Sequence, residues 1–151
     1  MSMMDASLPL SVTHEIRDRC LCLYVQRAAR VLARRFDDAL RPFGLTNGQF
    51  SLLMSLNRPD GPRISDLVDL LGMDRTTLTA ALKPLERKGL VTAKADKDDR
   101  RARRLHLTDA GRSVLKQALP TWRATHDAVD AALAPTSPQD LRDGLMALAG
   151  A

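Results

Sequence analysis

From residue 14 to about residue 41, apolar side chains recur at Ile16, Cys20, Leu23, Tyr24, Ala28, Val31, Leu32, Phe36, Ala39 and Leu40, with arginines between them. That spacing is one face of an α-helix, sustained for about seven turns at 3.6 residues each. Such a helix is longer than a small globule needs, so one end is expected to pack on another subunit. Arg41, Pro42, Phe43 and Gly44 close it with breakers. Thr46 then caps a shorter helix that turns Phe50, Leu53, Met54 and Leu56 inward. Residues 57–62, NRPDGP, are a turn by composition.

Residues 65–108 predict helix, turn, helix, strand, loop, strand. Ser65 caps a short helix with Leu67, Leu70 and Leu71 inward, and Gly72 ends it. Asp74 caps a second helix with Leu78, Ala81, Leu82 and Leu85 on one face, and Gly89 stops it. Residues 90–92 and 104–107 look like strands, and Arg63 with Ile64 is a one-rung strand beside them. Thr108 caps a helix over residues 109–133, whose inner face is Val114, Leu115, Ala118, Leu119, Trp122, Val129, Ala132 and Leu133. Pro84 and Pro120 fall inside predicted helices, but the apolar spacing continues past each. Ser137 and Pro138 start a last helix carrying Leu141, Leu145 and Leu148.

The predicted fold is mainly α with a small β-hairpin wing. A winged helix-turn-helix core over residues 45–108 is flanked by long helices that form a dimerisation region, residues 14–44 and 109–151. All of it makes one structural domain. Residues 1–13, with Pro9 and no clear period, are a loose arm. The flanks hold apolar surface, including Trp122 and the alanine-rich residues 128–134, that a thin monomer would leave bare. A two-fold homodimer with interlocked ends is therefore expected.

Charge sharpens this picture. The 151 residues carry 23 basic and 18 acidic side chains, a net charge of +5. The distribution is uneven. Residues 94–104 hold six basic groups and three acidic ones, whereas residues 123–143 hold two arginines and four aspartates. A loop this charged does not pack inward, and it can reach a phosphate backbone or a minor groove. The helix that starts after Asp74 offers Arg75, Thr76, Thr77 and Thr79 for base edges and phosphates, then Lys83, Arg87 and Lys88 for phosphates. Arg101 is the wing-tip candidate, with Arg100, Arg103 and Arg104 adding phosphate contacts; Ser65 and Gln49 are further candidates. No apolar run reaches membrane-spanning length and no signal peptide opens the chain, so a cytoplasmic protein is expected. Two cysteines fit a reducing compartment. No phosphate loop, paired acid or nucleophile triad appears, so neither an enzyme nor a cofactor or metal site is predicted.

GMDRTTLT, LERKGLV and the wing DKDDRRARRLHLTDAG together resemble the winged-helix core of the MarR family of bacterial transcription regulators. The resemblance covers residues 21–133, and its most specific part is the D-x-x-D-R-R wing followed by a strand and L-T-x-x-G. It implies a homodimeric repressor on a pseudo-palindromic operator, with two reading helices in successive major grooves. It also implies that Asp99 orients Arg101 for the minor groove. Release is expected from a small anionic, aromatic acid-like effector, with His14, Arg17, Arg27 or His126 as alternative candidates to meet its carboxylate.

A redox signal is the alternative. Counted back from residues 44–46, Cys22 falls where the hydroperoxide-sensing branch of the family has its reactive cysteine. The tyrosines that partner it there correspond to Gln26 and Phe36. Cys20 and Cys22 lie about 200° apart on a continuous helix, which disfavours a disulfide between them. A third reading is a winged helix used as a protein-interaction module, which leaves the DRRARR wing unexplained.

Overall fold

The computed structural model describes residues 7–150. Its elements are α1 (Leu10–Arg19), α2 (Leu21–Leu40), a 3-10 turn (Arg41–Phe43), α3 (Asn47–Ser55), α4 (Ile64–Leu71), α5 (Arg75–Arg87), β1 (Val91–Ala95), β2 (Arg103–Leu107), α6 (Asp109–Ala132) and α7 (Pro138–Ala149). The chain divides into two compact units after Arg35.

In the first unit the single long helix expected from residue 14 is two helices, and the first begins at Leu10, inside the expected arm. Residues 1–6 of that arm lie outside the described residues. The break falls at Cys20, whose ψ of 95° leaves the helical region. It needs neither glycine nor proline, because Cys20 keeps both backbone partners: its N–H donates to Ile16 and its carbonyl accepts from Tyr24. No residue of α1 is buried.

The second unit is built on one apolar core. Leu40, Leu45, Phe50, Leu53, Leu56, Leu67, Leu78, Leu82, Leu85, Leu105, Leu107 and Leu115 all contribute to it. The threonine caps form as the sequence predicts. Thr46 accepts from the Gln49 N–H while the Gln49 side chain accepts from the Thr46 N–H, a reciprocal capping box. Thr108 accepts from Gly111 and donates to the Gly89 carbonyl, which ties the start of α6 to the end of the reading helix.

Two local expectations change. Helix α4 begins one residue before Ser65, and the Asp66 carboxylate accepts the Arg63 N–H at 2.8 Å, so Ser65 is exposed rather than capping. Leu70 also points outward, at 54% exposure. On so short a helix, Ile64, Leu67, Val68 and Leu71 take the inner face, and Leu70 lies on the far side of it.

Both proline-bearing helices run unbroken. Each proline frees the carbonyl four residues earlier, at Ala80 and Lys116. Both of those residues are exposed, so water can take the bond.

The strands pair antiparallel, Val91 opposite Leu107 through Ala95 opposite Arg103, and are longer than the sequence suggested. Arg63 adds the expected single rung on Arg104. The chain before it lies close against β2: a Cβ on Gly61 would sit 2.3 Å from the Leu105 carbonyl oxygen, so only glycine fits.

Candidate nucleic-acid interface

Helix α5 follows a tight turn in which Gly72 takes a φ of 62°. The Asp74 carboxylate then accepts both the backbone N–H of Thr77, at 2.8 Å, and its hydroxyl, at 2.7 Å. These bonds favour the charged form and hold the Asp74 carboxyl below its ordinary range. Thr79 donates its hydroxyl to the Arg75 carbonyl one turn back, at 2.8 Å. Among the described residues no partner takes the Thr76 hydroxyl. Arg75, Thr76, Thr79, Ala80 and Lys83 form an exposed stripe lining a shallow cleft of about 340 Å³. Arg87 is exposed, and Lys88 donates to the Gly44 carbonyl at 3.0 Å. Gln49 serves the capping box of α3.

A second cleft, about 310 Å³, lies between this helix and the wing. Arg63, Ser65, Arg75, Arg101 and Arg103 line it. Arg75 belongs to both clefts, so the helix stripe and the wing form one cationic track. A track of this kind, open to solvent along its length, suits a phosphodiester backbone more than a small ligand.

At the wing tip, Asp99 accepts the backbone N–H of Arg101 at 3.0 Å and its own carbonyl accepts from Ala102. Asp99 thus shapes the turn that carries Arg101, rather than gripping the guanidinium. Arg100 is exposed on the same turn. Arg104 is placed differently from its neighbours. Its guanidinium donates to Asp96 at 2.9 Å and to the Gly61 carbonyl at 2.9 Å, so it fastens the base of the wing.

Sequence reasoning missed Arg63 and Asp96. The wing was expected to keep all its charges in solvent, yet Asp96 is 3% exposed. It is buried because its charge is fully matched. Asp98 N–H, Arg63 and Arg104 all donate to its carboxylate, which holds its pKa down to about 2. The signal in the sequence was an aspartate directly after a strand, with an arginine directly before a helix start, but their pairing is a tertiary fact.

The sensor candidates spread along the chain. His14 and Arg17 are exposed on α1, with Arg17 paired to Asp18 at 2.6 Å. Cys22 is exposed on the first turn of α2, and the Gln26 side-chain amide donates to its sulfur at 3.0 Å. Helical rotation does not set Cys20 and Cys22 on opposite faces, since Cys20 lies outside both helices. Trp122, expected as uncovered dimer surface, is half-buried and stacks on Phe50 at 5.9 Å, with His126 at 4.9 Å on another side.

Comparison with known proteins agrees with this architecture. A model of the MarR family matches residues 45–102. SarZ of Staphylococcus haemolyticus, an HTH-type transcriptional regulator, is 30% identical over 110 residues, 73% of this chain and 71% of SarZ. TtmR of Methylorubrum extorquens, another such regulator, is 34% identical over 97 residues, and the match spans 64% of this chain but half of TtmR. The crystal structure of the M. tuberculosis regulator MosR in complex with DNA shares 38% identity and a TM-score of 0.78, over 86% of this chain and 93% of that one. With its winged helix-turn-helix in place and these relatives around it, the chain belongs to the MarR family.

Proposed function

We propose that this protein is a cytoplasmic, DNA-binding transcriptional repressor that works as a homodimer on a pseudo-palindromic operator. The observation that carries the reading is the track joined at Arg75, which brings the reading helix and the wing arginines Arg101 and Arg103 onto one surface. In this reading Arg75, Thr76, Thr77 and Thr79 meet base edges or nearby phosphates, and Lys83, Arg87, Arg100 and Arg103 meet phosphates. Arg101 enters the minor groove, and Arg104 supports it from the wing base.

The homodimer is supported by apolar surface that stays exposed among the described residues. Helix α7 buries none of its residues and exposes Leu141, Leu145, Met146 and Leu148. Separately, α2 exposes Leu21, Leu23, Tyr24, Val25, Val31 and Leu32. Two-fold pairing would set the reading helices about 34–36 Å apart, one turn of the duplex. Release by a small aromatic acid finds support in Trp122 and His126, two half-buried rings that pack over the buried Phe36 and Phe50 and whose remaining exposed faces offer a stacking surface.

The deciding experiment is a binding titration with the duplex upstream of the protein's own gene, repeated across salt concentrations. Affinity is expected to fall steeply and linearly on a log–log plot. Arg101→Ala is expected to weaken it by about tenfold. Affinity that ignores salt sinks the reading and favours a protein-interaction module. The same titration with added aromatic acids tests release.

One observation favours a redox signal as the second reading. Gln26, standing where the peroxide-sensing branch has tyrosine, still donates a hydrogen bond to Cys22. Oxidation by peroxide would convert two thiols to one disulfide and peroxide to two waters. Loss of DNA binding on peroxide treatment, abolished in Cys22→Ser, supports it; binding unchanged by peroxide rejects it.

A further inference from the structure

We propose that Asp96 is a positioning residue for DNA binding: it fixes the direction of the wing against the start of α4, and thereby the place of Arg101 and Arg103. The proposal rests on the wing meeting DNA, as set out above.

Among the described residues, Asp96 is the one charged side chain found buried. Its partners come from separate segments of the fold. Arg63, at the cap of α4, places Nε and Nη2 each 2.8 Å from Oδ2. Arg104, on β2, places Nε 2.9 Å from the same oxygen. The other oxygen accepts the Asp98 N–H at 2.8 Å, and the Asp96 N–H donates to the Ala102 carbonyl at 3.0 Å. The backbone bond closes the loop of residues 96–102, while the carboxylate braces it at Asp98 and clamps it to Arg63, at the start of the helix that precedes the reading helix. Arg101 sits in that loop and Arg103 just beyond it.

The charge balance points the same way. Arg63, Arg75, Arg101 and Arg103 line one cleft. Four like charges around one opening repel, and Asp96 supplies a counter-charge held in fixed geometry behind them. Asp99 has a different task, turning the tip through a backbone bond.

Positioning by Asp96 and simple electrostatics lead to opposite outcomes when its charge is removed. Asp96→Asn removes a negative charge beside a DNA-facing surface. Charge alone would strengthen binding. Positioning predicts that the full-length variant binds the upstream duplex about tenfold or more weakly. It also predicts a split footprint: hydroxyl-radical protection of the minor groove under the wing is lost, while dimethyl sulfate protection of the major groove under α5 is kept. Arg63→Lys keeps the charge but loses the guanidinium fork, and it is expected to give the same split in a milder form; this variant decides the matter if Asp96→Asn fails to fold by circular dichroism. Unchanged or tighter binding, or equal loss of both protections in a folded variant, overturns the proposal. Arg101→Ala in the same series separates the two layers. If that variant keeps full affinity and minor-groove protection, the wing reading itself has failed.

Discussion

Arg63 and Asp96 stand 33 positions apart in the chain and meet through two guanidinium nitrogens, each 2.8 Å from one carboxylate oxygen. The Asp98 N–H and then Arg63 are the largest influences that lower the Asp96 pKa from 3.8 to about 2. A carboxylate lowered in the folded state stabilises that state above its ordinary pKa, and the contribution fades as pH falls toward the folded value. The wing is therefore expected to be indifferent to Asp96 titration from pH 5 to pH 8 and to loosen progressively below about pH 4. Amide exchange of residues 96–102 measured against pH checks this. The acid-dependent step should be absent in Asp96→Asn.

Gly61 supplies a second test of how the wing is docked. An added Cβ would meet the Leu105 carbonyl at 2.3 Å and the His106 ring at 2.6 Å, and the first of these is backbone that cannot swing away. Gly61→Ala is expected to destabilise the protein by about 1–3 kcal/mol in urea unfolding. Gly48→Ala is the control. Its Cβ would meet nothing within 4 Å on an exposed helical position, so stability should hold or rise by about 0.5–1 kcal/mol.

Arg75 and Lys83 share one face of α5 but differ in expected role. Arg75→Ala is expected to relax base preference at one position of each half-site, at a cost of about 1–3 kcal/mol there. Lys83→Ala should weaken all duplexes alike and lower the salt slope by about one. Binding measured on a panel of single-base operator variants at two salt concentrations separates them. A uniform loss from Arg75→Ala would remove it from the base-reading set.

Most helices and their caps, the one expected at Ser65 excepted, were legible because they are local facts. Thr46, Asp74, Thr108 and Ser137 each accept a bond from an N–H three residues ahead, and that offset is written in the chain. The reading helix and wing arginines were legible for a related reason, since short polar side chains and a dense cationic loop have few other uses. What escaped were pairings across distance. Arg104 looked like one more phosphate contact, and Asp96 like a solvated charge, until the fold brought them together with Arg63. The break at Cys20 escaped too, because a chain that keeps its hydrogen bonds through a kink leaves no mark in its composition.

The hydroxyl bonds of the reading helix carry a consequence for the operator. Thr77 and Thr79 each turn their donor back to the protein, toward Asp74 and the Arg75 carbonyl. Thr79 lies on the outward stripe, where its methyl group is then the chemistry left to face a base. A surface that spells out hydroxyls in the sequence would in practice be partly greasy, and a methyl seeks the C5 methyl of thymine. Replacing individual thymines of the half-site by uracil, which deletes that methyl and nothing else, should weaken binding at the positions under Thr79, and a Thr79→Ser variant should no longer notice the exchange.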